Sequence, residues 1–314
     1  MTRFLAAALC VVMYLTLAAA ATARPRSVER TTVTRAKSTV RAHWTVDRMR
    51  KARPVDAFDE RAVPDTPPEP TLPAEPDAPP PPDTEAVAPV PSAGLPYTGG
   101  EWSGTYPATH GKVFFTDDGV DYVCSGIAVT SLNRSVVWTA GHCVNDGPGA
   151  FHTNWLFAPA YRDATRPYGT WTARELLTTA GWGDRGDISY DLGAAVVGPN
   201  GGVALGDAVG GSGIAFDGAR AQTYTAFGYP AAPPFSGERL HTCTSAYGSS
   251  DAGTSPPTMA IGCNMTGGSS GGGWEAGGSV HSVTSYGYAD QPGVIYGPYQ
   301  GADARALYNT AAAR

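Results

Sequence analysis

Residues 97–314 have the pattern of an all-β body with a short C-terminal helix, most simply two β-barrels or one large sandwich. Three observations predict it. Short runs rich in β-branched and aromatic residues recur along this region: GKVFF (111–115), YVCSGIAVT (122–130), SVVWTA (135–140), LGAAVVG (192–198), QTYTAFGY (222–229) and GSVHSVTSYGY (278–288). Each run is closed off by Gly, Pro, Asn or Asp, the residues that turn an antiparallel chain back on itself. Helical spacing of apolar residues is scarce until ADARALYNTAAA (302–313), where strong helix formers follow Gly301.

The first 23 residues have the three parts of a cleaved secretory signal: Arg3, an apolar run Phe4–Leu17, and the small-residue end Ala21-Thr22-Ala23. The apolar run is shorter than the roughly 20 residues a bilayer span needs, so a secreted, extracellular product is expected, with no stable membrane insertion after signal removal. Residues 24–53 are polar and basic, with Arg48, Arg50, Lys51 and Arg53 close together, and read as a mobile propeptide or stalk. From 54 to 96 the charge inverts and prolines accumulate, as in APPPPD (78–83). Such a composition cannot bury a core and favours extended backbone, so it is assigned as a semi-rigid acidic linker. The remainder, 97–314, divides into halves at about 108–200 and 201–300 with the helix at 302–313. A net charge of -6 over 314 residues gives no electrostatic footing for a nucleic-acid partner.

Signal removal also removes Cys10 and leaves Cys124, Cys143, Cys243 and Cys263, an even number in an oxidising compartment. Four cysteines allow three pairings. The local ones, Cys124–Cys143 and Cys243–Cys263, are favoured because each closes a loop of about 20 residues. No Cys-x-x-Cys pair supports a zinc site.

Three short stretches carry chemistry. In SVVWTAGHCV, His142 follows a β-rich run and directly precedes Cys143, so a bridge there would pin the backbone beside the imidazole. In DISYDLGAAVVG, Asp191 stands at the mouth of an apolar strand, where an unpaired charge is costly and an imidazole N–H would satisfy it. Asp184 and Asp187 are rivals from a polar turn. The third stretch, MTGGSSGGGW (265–274), sets Ser269 and Ser270 among five glycines. Glycine held in an ordered segment implies positive φ or a close approach of something to the backbone.

Taken in the order His, Asp, Ser, the motifs TAGHC, an Asp before an apolar strand, and GxSGG resemble the chymotrypsin-fold serine proteases, in particular the bacterial secreted branch near the glutamyl endopeptidases. The resemblance covers about residues 108–314. It implies two antiparallel six-stranded β-barrels, Ser270 as nucleophile, His142 as base and then acid, and Asp191 as the orienting carboxylate. It also implies that the amides of Gly268 and Ser270 face the developing oxyanion. A peptide or protein substrate is then expected, with no cofactor or metal and a monomeric enzyme.

Two departures from the family pattern stand out. Where pancreatic-type members place an Asp before the nucleophile, this chain has Ser269, and it lacks an Ile-Val-Gly-Gly start, so activation through a buried new N-terminus is not expected. By resemblance the primary pocket is lined by about Asn264 to Thr266 and Thr284 to Gly287, including Ser285 and Tyr286. No Asp or Glu lies at its base, so strict cleavage after Arg or Lys is not expected. Thr284 and His281 are candidates for holding a substrate carboxylate, and Ser285–Gly287 for pairing with substrate as an added strand. The rival readings are an esterase of another fold, a catalytically inactive binding module on this fold, and a stalk-displayed adhesin. The esterase triad order Ser, Asp, His is not met, because only His281 follows Ser270.

Overall fold

The computed structural model describes residues 27–55 and 94–314, so the signal and most of the acidic linker lie outside the described residues. The chain opens with β1 (Val28–Thr32), α1 (Lys37–His43), α2 (Val46–Lys51) and β2 (Arg53–Pro54), and resumes at β3 (Thr98–Glu101). The first barrel follows: β4 (His110–Asp117), β5 (Val120–Val129), β6 (Val136–Thr139), β7 (Thr153–Pro159), β8 (Trp171–Thr179) and β9 (Gly193–Val197). The β4–β5 hairpin turns at Asp118-Gly119, both with positive φ (42° and 81°), the conformation an Asp-Gly pair favours because it matches strand twist. The pairings β4–β5, β5–β6, β6–β9, β9–β8, β8–β7 and β7–β4 close the ring. The ring is closed, and the parts of β8 and β5 that extend past their ring partners are the edges that β1 and β2 take. Its interior is packed with Val113, Ile127, Val137, Trp138, Leu176 and Val196.

The second half is an open half-barrel rather than a closed ring. Its order is β10-β15-β14-β11-β12-β13-β16, built from β10 (Gly213–Ile214), β11 (Thr223–Gly228), β12 (His241–Ser250), β13 (Met259–Gly262), β14 (Gly273–Ala276), β15 (Ser279–Val283) and β16 (Val294–Gly297), with β3 paired to β12. Cys124–Cys143 and Cys243–Cys263 are both bridged, one in each half, as the local pairing requires. Helix α3 (Ala180–Arg185) and helix α4 (Leu205–Val209) are short connectors. The C-terminal helix α5 (Ala302–Ala312) returns to the first barrel, where Ala304, Leu307 and Ala311 join its core.

The basic segment departs from expectation. Residues 28–54 are not a mobile stalk: β1 pairs antiparallel with β8, from Val28 opposite Thr179 to Thr32 opposite Glu175, and β2 pairs in parallel with β5. Val40, Trp44 and Met49 are buried in one cluster with Phe114, Val123, Leu156 and Tyr161. The physical reason is length. Helices of seven and six residues each bury a single apolar side chain, too few to display a period, while Arg41 and Arg48 reach side chains of the barrel instead of solvent. The linker boundary shifts as well, since Pro54 lies in a strand and Ser245 Oγ donates to the Pro96 carbonyl at 3.0 Å.

The register of β6 against β9 sets up the site. Thr139 lies opposite Gly193, so residues just after β6 meet residues just before β9. The loop entering β14 is packed equally tightly. A Cβ on Gly271 (φ +79°) would fall 1.9 Å from Thr139 Oγ1 and 2.5 Å from the Ser125 carbonyl. We therefore expect Gly271→Ala to lower stability by about 1–3 kcal/mol or more, through strain and overpacking together. An unchanged midpoint in thermal melts would refute this account of the loop.

Candidate active site

His142 sits in a 3-10 turn (Gly141–Cys143) straight after β6, and Asp191 ends a second such turn (Ile188–Tyr190) straight before β9. The register therefore brings them together. Asp191 Oδ1 accepts the His142 backbone N–H at 2.8 Å, and Oδ2 lies 2.7 Å from His142 Nδ1. One carboxylate thus fixes both the position and the ring direction of the histidine. Asp191 is 1% exposed, and its Oδ2 also accepts the Ser285 hydroxyl at 2.5 Å, so the buried charge is met by three donors. The rival Asp187 faces elsewhere, capping the following turn through the Ser189 amide at 3.1 Å.

Ser270 is held by backbone on both sides. Its carbonyl accepts the Ser125 N–H at 2.7 Å, and the next residue, Gly271, donates to the Thr284 carbonyl at 2.7 Å. Ser125 does more: its hydroxyl donates to the Gly268 carbonyl at 2.9 Å and accepts the Tyr229 N–H at 2.8 Å. Gly268 has φ +95°, and a Cβ there would lie 2.8 Å from the Tyr229 carbonyl. With its carbonyl anchored this way, the amides of Gly268 and Ser270 have no acceptor among the described residues. Ser269 is committed instead, its hydroxyl donating to the Thr266 carbonyl at 2.7 Å. Two polar atoms here are buried without any partner, Ser270 Oγ and His142 Nε2. A buried polar atom without a partner calls for an explanation, and a catalytic role is one.

The expected pocket residues separate into groups. Ser285, Tyr286 and Gly287 form a segment beside the site, bridged to Tyr296 through Tyr286, in which the Ser285 carbonyl and both backbone groups of Gly287 have no backbone partner among the described residues. Tyr286 and Tyr288 both donate to Asp251 Oδ2, at 2.5 and 2.7 Å, which stiffens that segment; burial and the Asp251 carboxylate push both phenols well above the usual tyrosine range. Asn264 is exposed, and Thr266 donates its hydroxyl to the Ala232 carbonyl at 2.8 Å. Thr284 is fully buried, with its hydroxyl oxygen accepting Trp274 Nε1–H at 3.0 Å. His281 is corrected: it lies in β15 on a small cavity with Gly218, Tyr224, Met259 and Tyr299, and no residue of the site lines that cavity.

Sequence reasoning missed Ser125, Asp251 and His152. Ser125 follows a cysteine in an ordinary β run, and Asp251 sits in a polar loop, so neither carries a local signal. His152 Nε2 donates to the His142 carbonyl at 3.0 Å from a buried position stacked on Phe115. Burial pushes its ring below the usual histidine range, against the opposing pull of that carbonyl and of Asp117 and Asp146.

No family model matches the chain. Solved structures do. The protease Anisep from Arthrobacter nicotinovorans is 45% identical, with a TM-score of 0.66 over 69% of this chain and 100% of its own. AL20, a thermostable serine protease from an extremophilic microorganism, is 46% identical, with a TM-score of 0.63 over 66% of this chain and 98% of its own. A Glu endopeptidase at 19% identity shares the fold, with a TM-score of 0.56 over 72% of this chain and 100% of its own. Among curated proteins, an extracellular metalloprotease of Bacillus subtilis (strain 168) is 34% identical over 73 residues, and the chain spans only 22% of its length.

The depressed His152 ring has a pH consequence. Between its folded value and the ordinary 6.5, the unfolded chain binds the proton and the folded one does not, so this contribution to stability is present above about 6.5 and lost as pH falls. We expect His152→Gln to flatten the fall in melting temperature below pH 6.5, measured by thermal scans across pH; a slope identical to wild type would remove His152 as its source.

Proposed function

Because this chain belongs to the chymotrypsin-fold serine proteases, we propose that it is a secreted endopeptidase working through an acyl-enzyme on Ser270, with His142 and Asp191 completing the catalytic group. The observation that carries the assignment is the double hold of Asp191 on His142, through the backbone N–H and through Nδ1. That hold leaves Nε2 as the ring nitrogen free to take a proton, and Nε2 is unpartnered.

The steps follow from these positions. Ser270 Oγ attacks the substrate carbonyl carbon as its proton passes to His142 Nε2, and the imidazolium is stabilised by Asp191. The carbonyl oxygen becomes an oxyanion facing the Gly268 and Ser270 amides, which are already oriented and lack other acceptors. Collapse breaks the C–N bond, and His142 returns the proton to the departing amine. Water, deprotonated by the same nitrogen, then releases the acyl group and restores Ser270. Substrate backbone pairs with the unpartnered groups of Ser285 and Gly287, a mode that tolerates many sequences. The signal-led sequence, with four cysteines after residue 23, supports export, the two bridges being stable in an oxidising compartment.

Ser270→Ala is expected to reduce peptide hydrolysis by about a millionfold and to abolish fluorophosphonate labelling, read by peptide mass mapping. Labelling that persists in the mutant, or maps to Ser269, would overturn the assignment. Gly268→Ala should cost about a hundredfold to a thousandfold in kcat with Ser270 still labelled, since a side chain there turns one amide away; an unaffected kcat would exclude that amide from the oxyanion site.

A further inference from the structure

The amide of Gly268 belongs to the peptide unit that begins with the Gly267 carbonyl. That unit is planar and trans, so its C=O and N–H point in opposite directions, and whatever holds the oxygen aims the hydrogen. Ser125 does not do this, because the Gly268 carbonyl that it holds lies in the next peptide unit. The Gly267 carbonyl is held from one loop, accepting the Ala231 N–H at 2.7 Å and the Ala232 N–H at 3.2 Å. We infer that Lys112, a residue of β4, fixes this loop and through it positions the Gly268 amide toward the oxyanion. The inference rests on the Ser270 reading above.

The loop 230–238 is folded back on itself. The Gly237 N–H donates to the Pro230 carbonyl at 2.8 Å, and the Phe235 N–H to the Ala232 carbonyl at 3.0 Å. Lys112 ties its far end to the first barrel: Nζ donates to the Gly237 carbonyl at 2.8 Å and lies 3.7 Å from Glu238 Oε1. Both oxygens of that carboxylate accept the Tyr161 hydroxyl, each at 3.0 Å. From the lysine to the oxyanion glycine the contacts are continuous. A Cβ on Gly237 would lie 3.1 Å from Lys112 Nζ and 2.8 Å from Ala231 Cβ, and one on Gly268 would lie 2.9 Å from the same Ala231 Cβ.

Stability alone does not account for a lysine here. It is 2% exposed, and burial pushes its ammonium down to about 8 against the pull of Glu238. A methionine would avoid that cost and suit the rings of Phe114 and Tyr161, whose centroids lie 5.2 and 4.9 Å from Nζ. What methionine lacks is a donor for the Gly237 carbonyl. Catalysis and stability are therefore expected to separate when Lys112 is replaced.

The test compares the secreted wild-type chain with Lys112→Met and with Glu238→Gln, which keeps an acceptor for Tyr161 while removing the charge opposite Lys112 and decides the matter if methionine at 112 prevents folding. Each is assayed on a peptide ester and on its thionoester, in which sulfur replaces the carbonyl oxygen and accepts hydrogen bonds poorly. We expect Lys112→Met to lower kcat on the oxygen ester by about tenfold to a hundredfold with KM unchanged, less than the outright loss of a donor. Thionoester rates should stay near wild type, so the preference for oxygen shrinks, and Glu238→Gln should shift it the same way by a smaller factor. An equal fall on both substrates, or a wild-type preference in the variants, would overturn the inference while fluorophosphonate labelling of Ser270 upholds the nucleophile. Ser270→Ala that hydrolyses the ester as fast as wild type would instead overturn the Ser270 reading, and this inference with it.

Discussion

The buried carboxylate of Asp191 is the interaction on which the rest of the site depends. At 1% exposure it cannot rely on water, and each of its donors is a structural demand placed on a different part of the chain. The His142 amide and ring require the turn after β6, and the Ser285 hydroxyl requires the segment that follows β15. The two halves are thus joined through one charge: the first supplies the carboxylate and the histidine, and the second supplies a hydroxyl and the nucleophile loop. Ser125 makes the same connection in reverse, a first-barrel residue holding the backbone of Gly268 and Ser270.

The all-β body, both bridges, the C-terminal helix and the pairing of His142 with Asp191 were legible because each leaves a local mark, as does the candidate Ser270. Strand runs end at turn residues, cysteines count themselves, and a serine framed by glycines stands out. What escaped shares a different property. Ser125, Asp251 and His152 matter through contacts tens of residues away, in neighbourhoods of ordinary composition. The side chains of His281 and Thr284, both close in sequence to Ser270, turn to Tyr224 and Trp274, contacts that sequence position does not reveal.

The basic segment shows how composition can mislead. Its arginines are numerous and its apolar residues few, which is the profile of a solvated stretch. Yet Val40, Trp44 and Met49 are each fully enclosed by the barrel wall, and the arginines end on Asn154, Asn200 and Asp121. A segment that binds a ready-made surface needs only a few well-placed anchors, because the partner supplies the remaining core. A period-based reading looks for a segment that buries its own face and so passes over one that borrows it.

The return of α5 to the first barrel affects how the molecule is made. Leu307 and Ala311 complete a core most of whose members lie more than a hundred residues earlier, among them Val136 and Trp138. A nascent chain emerging in order therefore cannot finish its first barrel when that barrel's strands have been synthesised; it must wait for the last turn of helix. Domains usually fold as they appear, N-terminal first, and this one is held back by its own connectivity.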